Sequence, residues 1–194
     1  MSRRCYVKTG LEILAADGPS DLKITTLCAA LGTTSGSFYH HFGNFHGYTQ
    51  AVVGRWETQH GNQVRALGLS DGTSRTGLLR HRSSVLALDH AVDAGMRLWA
   101  ATNATVADAQ QRVDELWHSA LFALLYDLIA EAGTARRLAV LGRSVITGYQ
   151  LVAPIRHSDE LNAILLDFEQ IVGTHYRTDS TQNRIDKESA CRQL

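Results

Sequence analysis

The chain has little proline, little cysteine, no net charge and no long apolar run, and each shortage excludes something. Two prolines in 194 residues leave most of the chain free to form uninterrupted helix. Three cysteines, Cys5, Cys28 and Cys191, are too few and too far apart for a zinc motif or a disulfide framework. Nineteen basic and 19 acidic residues cancel to +0, so any contact with phosphate must come from local arrangement rather than a global field. No apolar run reaches the ~18 residues of a membrane span. The N-terminus is basic and then amphipathic, without the apolar stretch of a secretory signal, which points to the cytoplasm. The sequence carries no G-x-S-x-G, no Walker A and no dinucleotide fingerprint, so no catalytic residue and no cofactor is expected. Its 9 histidines include the adjacent pair His40 and His41, but none forms H-E-x-x-H, and no metal site is expected.

What is present is helix. Hydrophobic residues make up 44% of the chain, enough for a folded core, and they recur at helical rather than alternating spacing. The expected fold is all-α. Its most informative stretch is ITTLCAALGTTSGSFYHHF, residues 24–42. Ile24, Leu27, Cys28 and Leu31 give a short helix one apolar face. Gly32 tolerates positive φ and lets the chain turn. Thr34 or Ser35 can cap a second short helix by accepting a backbone N–H. In that helix Phe38 and Phe42, four apart, face inward, and Ser37, Tyr39, His40 and His41 are left to face outward. Cys28, on the apolar face, reads as a small core residue. A helix-turn-helix places its second helix in the major groove of DNA.

The run Gly32, Thr33-Thr34, Gly36, Ser37, Phe38, Tyr39, His41, Phe42 resembles the DNA-binding domain of TetR-family transcriptional regulators. The resemblance extends back over an amphipathic helix at 5–16 and forward into a long helix containing Ala51, Val52 and Trp56. It implies a DNA-contacting set of Thr25, Thr26, Thr34, Ser35, Ser37, Tyr39, His40 and His41. Tyr39 and His41 would bind phosphate, His40 would reach bases, and the hydroxyls would reach either. Thr25 and Thr26 can alternatively do no more than cap their helix. The chain departs from the family at two places: Phe45 and Ser35 stand where basic residues are common, and each change removes a phosphate partner. Local charge compensates little, since Arg3, Arg4, Lys8 and Lys23 are opposed by Glu12, Asp17 and Asp21.

Downstream, residues 68–77 read as a loop rich in Gly, Ser and Thr. Helical patterns follow at 78–102, 106–132, 136–152 and 158–176, with Gly133 as a C-cap, Pro154 as a stop and Ser158 as a cap. The resulting division is a helix-turn-helix domain at 1–48, an effector-binding and dimerisation domain at 49–177, and a polar tail at 178–194. Met96, Trp99, Trp117, Phe122, Tyr126 and Tyr149 form a bulky set on successive helices, with polar tips such as His118 and Gln150, and are the expected lining of a cavity for an apolar or aromatic small molecule. The family resemblance further implies a homodimer through 136–176, where Gly142, Ser144 and Gly148 permit close helix approach. Together these give a ligand-responsive regulator, usually a repressor in this family, on a near-palindromic operator. The alternative is a helical ligand-binding or protein-interaction module whose DNA-binding head is weakened.

Overall fold

The computed structural model describes residues 1–68, 74–152 and 158–176, and every long element among them is an α-helix. In chain order they are α1 Arg3–Ala16, α2 Ile24–Ala30, α3 Ser35–Phe42, α4 Phe45–Gly68, α5 Ser74–Leu86, α6 His90–Ala100, α7 Ala104–Ile129, α8 Ala132–Val152 and α9 Ser158–Gly173. A 3-10 turn, Pro19–Asp21, leads into α2. The all-α expectation holds.

The first four helices form a headpiece around aromatic rings. Ser2 caps α1 by accepting from Cys5 N, and Tyr6, Val7, Gly10, Ile13 and Leu14 form its buried face. The Tyr6 ring meets Phe38 and Phe42 of α3 edge-on, at centroid distances of 5.8 and 5.6 Å, the arrangement that sets a ring's positive edge on its neighbour's negative face. Tyr48 of α4 completes the cluster and donates its hydroxyl to the Tyr6 carbonyl at 3.0 Å. That hydroxyl lies against Gly10, where a β-carbon has no room. The hydrogen bond joins α1 to α4.

Phe45, the first residue of α4, packs on Tyr48 and reaches Trp99 of α6. The headpiece core continues without a break into Val92, Met96 and Trp99 of α6 and Val106, Ala109 and Val113 of α7. Helix α4 itself runs straight through residues 48 and 49. A second core joins Leu78 of α5, Leu121 and Leu125 of α7, Leu138 of α8 and Phe168 and Val172 of α9. Arg82 ties α5 to α9 through Glu169 (2.9 Å) and Asn162 (2.8 Å).

Three local readings change. The pattern at 78–102 is two helices: the chain breaks at residues 87–89, and Asp89 caps α6 by accepting from Val92 N at 3.2 Å. An apolar period continues through such a break because both helices face one core; the capping aspartate is the sequence signal. Gly133 is not a C-cap. Ala130 adopts the left-handed conformation (φ 56°) that ends α7, and Gly133 sits in the first turn of α8, where the Glu131 carboxylate accepts from Gly133 N and Thr134 N, both at 2.6 Å. The Thr134 hydroxyl, together with these two backbone bonds, holds the Glu131 carboxyl below its usual range. Helix α5 begins at Ser74, so the loop expected at 68–77 is helical in its second half. Residues 69–73, Pro154 and the tail from 178 lie outside the described residues.

Candidate functional site

The surface formed by α2 and α3 follows from four residues of turn. Gly32 has φ 58°, a conformation that admits glycine without strain. Thr34 is the cap: its hydroxyl accepts from Ser37 N at 3.3 Å, and Ser35 is the first helical residue. Phe38 (0% exposed) and Phe42 anchor α3, which turns Tyr39, at 50% exposure, into solvent. Ser35 and His40 are exposed beside it, and Ser37 is half-buried. His41 is half-buried against Tyr6, and its Nε2 is within 2.8 Å of the Met1 carbonyl, so part of its hydrogen-bonding capacity is used within the chain. Thr25 is exposed and Thr26 half-exposed; the N-cap of α2 is Lys23, so neither threonine has that task.

A second candidate site lies about α4, α5, α6, α7 and α8, and it is polar at its centre. Asp93 on α6, 5% exposed, accepts from Trp56 Nε1 (2.8 Å), His60 Nε2 (3.0 Å) and Gln150 Nε2 (3.1 Å). His60 Nδ1 in turn accepts from Trp117 Nε1 at 2.9 Å. An indole N–H can only donate, so His60 carries its hydrogen on Nε2 and the ring is neutral. Gln150 accepts from Arg97 Nε at 3.0 Å, and the Arg97 guanidinium grips Asp114 of α7 with two parallel bonds of 3.0 and 2.6 Å. Each buried member thus finds partners on other helices, the condition under which a buried polar network is tolerated.

This network borders a cavity of ≈ 40 Å³, with Trp117, Val113, Leu121, Val85 and Ile146 as its apolar wall. That volume holds a few waters and is well below the ~300 Å³ of an ordinary ligand site, so a larger occupant must spread the helices. His81 faces the cavity, 5% exposed, edge-on to Trp117. Burial pushes its pKa down to about 4 and keeps it neutral. Gln110 donates to Asp114 at 3.2 Å, but its buried Oε1 has no partner among the described residues. Trp56, His60 and Asp93 also form one wall of an open cleft between α1, α4 and α6. These side chains therefore stand between the cavity and that cleft.

No family model matches the sequence, and no curated protein does. Solved structures do match. A candidate transcriptional regulator from Rhodococcus sp. Rha1 superposes with a TM-score of 0.71 at 18% identity, over 90% of this chain and 96% of the other. A candidate TetR-family regulator from Rhodococcus sp. gives 0.69 at 17%, over 88% and 97%. A candidate regulator from Saccharomonospora viridis in complex with choline gives 0.70 at 18%, over 87% and 95%. The chain has a TetR-like fold. At such identities the likeness concerns the fold alone.

Within that fold the expected lining residues separate. Trp117 borders the cavity. Met96 (0% exposed) and Trp99 belong to the core shared with the headpiece, and Trp99 pairs with Phe45 rather than with Trp117. Phe122 and Tyr126 stack on each other at 6.0 Å on α7, with Tyr126 half-exposed. Tyr149 packs edge-on against His90, whose pKa burial lowers. Of the polar tips, Gln150 is central to the network, whereas His118 Nδ1 is buried without a partner among the described residues. The sequence reading missed Asp93, His60, Arg97, Asp114, Gln110 and His81 as site residues. Asp93 offered the one available signal, a carboxylate on the apolar face of a helix whose neighbours Val92 and Met96 are core.

Proposed function

We propose that the chain is a homodimeric, ligand-responsive transcriptional regulator. It reads near-palindromic double-stranded operator DNA with α3 of each protomer and releases it when a small molecule occupies the cavity beside Trp117. The observation that carries this reading is the attachment of the cavity to α4. Trp56 and His60 hold Asp93 from the same helix whose first turn, through Tyr48, packs against Phe38 of α3 and bonds to Tyr6 of α1. A ligand that displaces Asp93 or Trp117 shifts α4, and with it the reading helix. The effect on DNA affinity equals the ligand's difference in affinity for the two arrangements.

Tyr39, His40, Ser35 and the threonines are the groups available to DNA, and helix α3 carries no lysine or arginine. We assign reading to residues 1–48, ligand binding and dimerisation to 49–177, and no role to the tail. Dimerisation through α8 and α9 is supported by Leu141, Leu151, Leu166 and Ile171, apolar side chains between 38% and 52% exposed on those two helices. Gly148 has open space over its α-carbon, whereas Gly142 is filled from within by Leu121 and Phe168. Two proteins of similar fold are in complex with choline and with imidazole, which agrees with a small-molecule ligand for this chain.

The second reading, a ligand-binding module with a weakened DNA head, is favoured by one observation. Phe45 is packed into the core against Tyr48 and Trp99, where a basic residue would meet phosphate. Selection of bound duplexes from random DNA by the purified protein separates the two. The regulator reading predicts enrichment of a two-fold-related sequence with half-sites about one helical turn apart. Absence of enrichment at low salt leaves the weakened-head reading.

A further inference from the structure

The cavity's charges and its unmet hydrogen bonds together define a ligand chemistry. Of the ionic groups lining it, Asp93 is buried, the Arg97 and Asp114 side chains are 17% and 21% exposed, and Arg143 is exposed. Arg97 is engaged bidentately with Asp114. All three hydrogen-bond donors to Asp93 are uncharged: an indole, an amide and a His60 ring fixed as neutral by Trp117. Arg97 and Asp114 offset each other, which leaves the buried Asp93 carboxylate without a bonded cation, in surroundings where His81 is neutral as well. A buried carboxylate without a cationic partner is the arrangement that a bound cation relieves.

The hydrogen-bond inventory has the same sign. Gln110 must turn its NH₂ toward Asp114, since the reverse orientation would set oxygen against carboxylate. Its Oε1 is consequently an acceptor, buried, bordering the cavity and without a partner among the described residues. Asp93 Oδ2 and Asp114 Oδ2 accept one bond each here and have capacity for a second. The wall thus presents unmet acceptors. Beside them stand Trp117, whose ring face attracts cations, and the aliphatic side chains of Val113, Leu121 and Ile146.

We propose that the cavity binds a compact organic ammonium ion. Its N–H groups donate to Gln110 Oε1 and to a neighbouring carboxylate oxygen, and its short apolar chain lies along Val113, Leu121 and Ile146. This rests on the reading of the cavity as the ligand site and narrows the expected apolar molecule to one with a cationic donor at one end. The present ≈ 40 Å³ must widen to admit it, so short chains are favoured over long ones. An anion is refused by Asp93 and Asp114, and a neutral alcohol satisfies Gln110 while leaving Asp93 uncompensated.

The test compares butylammonium, butanol and butyrate on the full-length protein at neutral pH, read by tryptophan fluorescence and by thermal stabilisation. Two of the three tryptophans, Trp56 and Trp117, border the cavity and report its occupation. The expected result is that butylammonium binds at least about tenfold more tightly than butanol, the scale of one charge-assisted hydrogen bond, and that butyrate does not bind. Gln110→Leu, with an unchanged far-ultraviolet spectrum, should remove most of that preference. Equal affinity for the alcohol, preference for the acid, or no binding of the ammonium ion overturns the proposal, and none of these depends on a variant folding. A mobility shift on selected DNA keeps the two claims apart. Ammonium binding without DNA release upholds the ligand class and contradicts the regulator, whereas DNA binding with no response to ammonium does the reverse.

Discussion

His81 shows how one buried residue sets a pH limit. Its imidazole sits against the Trp117 edge with no hydrogen bond from a described residue, and burial alone pushes its pKa down to about 4. In the unfolded chain a histidine titrates near ~6.5, so between those values the unfolded state binds more protons than the folded one. Stability is therefore complete above ~6.5 and falls as pH drops toward about 4. Between about pH 7.5 and about pH 5 the loss attributable to His81 is about 2 kcal/mol. His90, lowered by burial at a half-exposed position, adds a smaller term of the same sign. Urea unfolding at the two pH values should show His81→Phe losing much less than the wild type; equal losses would remove His81 as the cause. This role was not legible in the sequence, because a histidine's burial depends on which helices cover it. Tyr39 is the opposite case, since its position beside the inward-facing Phe38 already required exposure.

At the scale of elements, the joint between headpiece and bundle is the crossing of α1 and α6. Gly95 lies on the Leu14 backbone, 2.8 Å from the carbonyl carbon to where a β-carbon would stand. Backbone does not yield as a side-chain tip does, so Gly95→Ala must push the two helices apart. The expected destabilisation is about 1–3 kcal/mol by urea unfolding, despite alanine's better helix propensity. A neutral or stabilising result would mean that the crossing is loose and cannot transmit a shift. Because Asp93 and Arg97 flank Gly95 on the same helix, the same variant should also alter tryptophan fluorescence. Elements were legible wherever one signal ruled, as with Gly32 in the turn or Thr34 capping α3 at 3.3 Å. They were misread where two helices share one apolar period, as at Asp89, and where an alanine rather than a glycine took the left-handed position, as at Ala130. The polar network was illegible for a further reason: Trp56, Asp93, Asp114 and Gln150 are distant in sequence, and only the packing of α4 and α6–α8 makes them neighbours.

For the whole molecule, the account requires two protomers joined through α8 and α9. Gly148→Glu places a charge where the monomer has open space, so the fold should persist while like charges meet across a two-fold axis. Sedimentation should show a dimer for the wild type and a monomer for the variant, with matching circular dichroism. A monomeric wild type at micromolar concentration would leave the exposed apolar face for another partner. The central claim, that α3 reads DNA, is tested most directly by operator affinity measured side by side for the wild type, Tyr39→Phe and Tyr126→Phe. Both variants remove one hydroxyl from a tyrosine at 50% exposure, and only Tyr39 lies on α3. The account predicts about fivefold weaker binding for Tyr39→Phe, the scale of one hydrogen bond of about 1 kcal/mol, and no change for Tyr126→Phe. Equal affinity of all three proteins across several salt concentrations would contradict it.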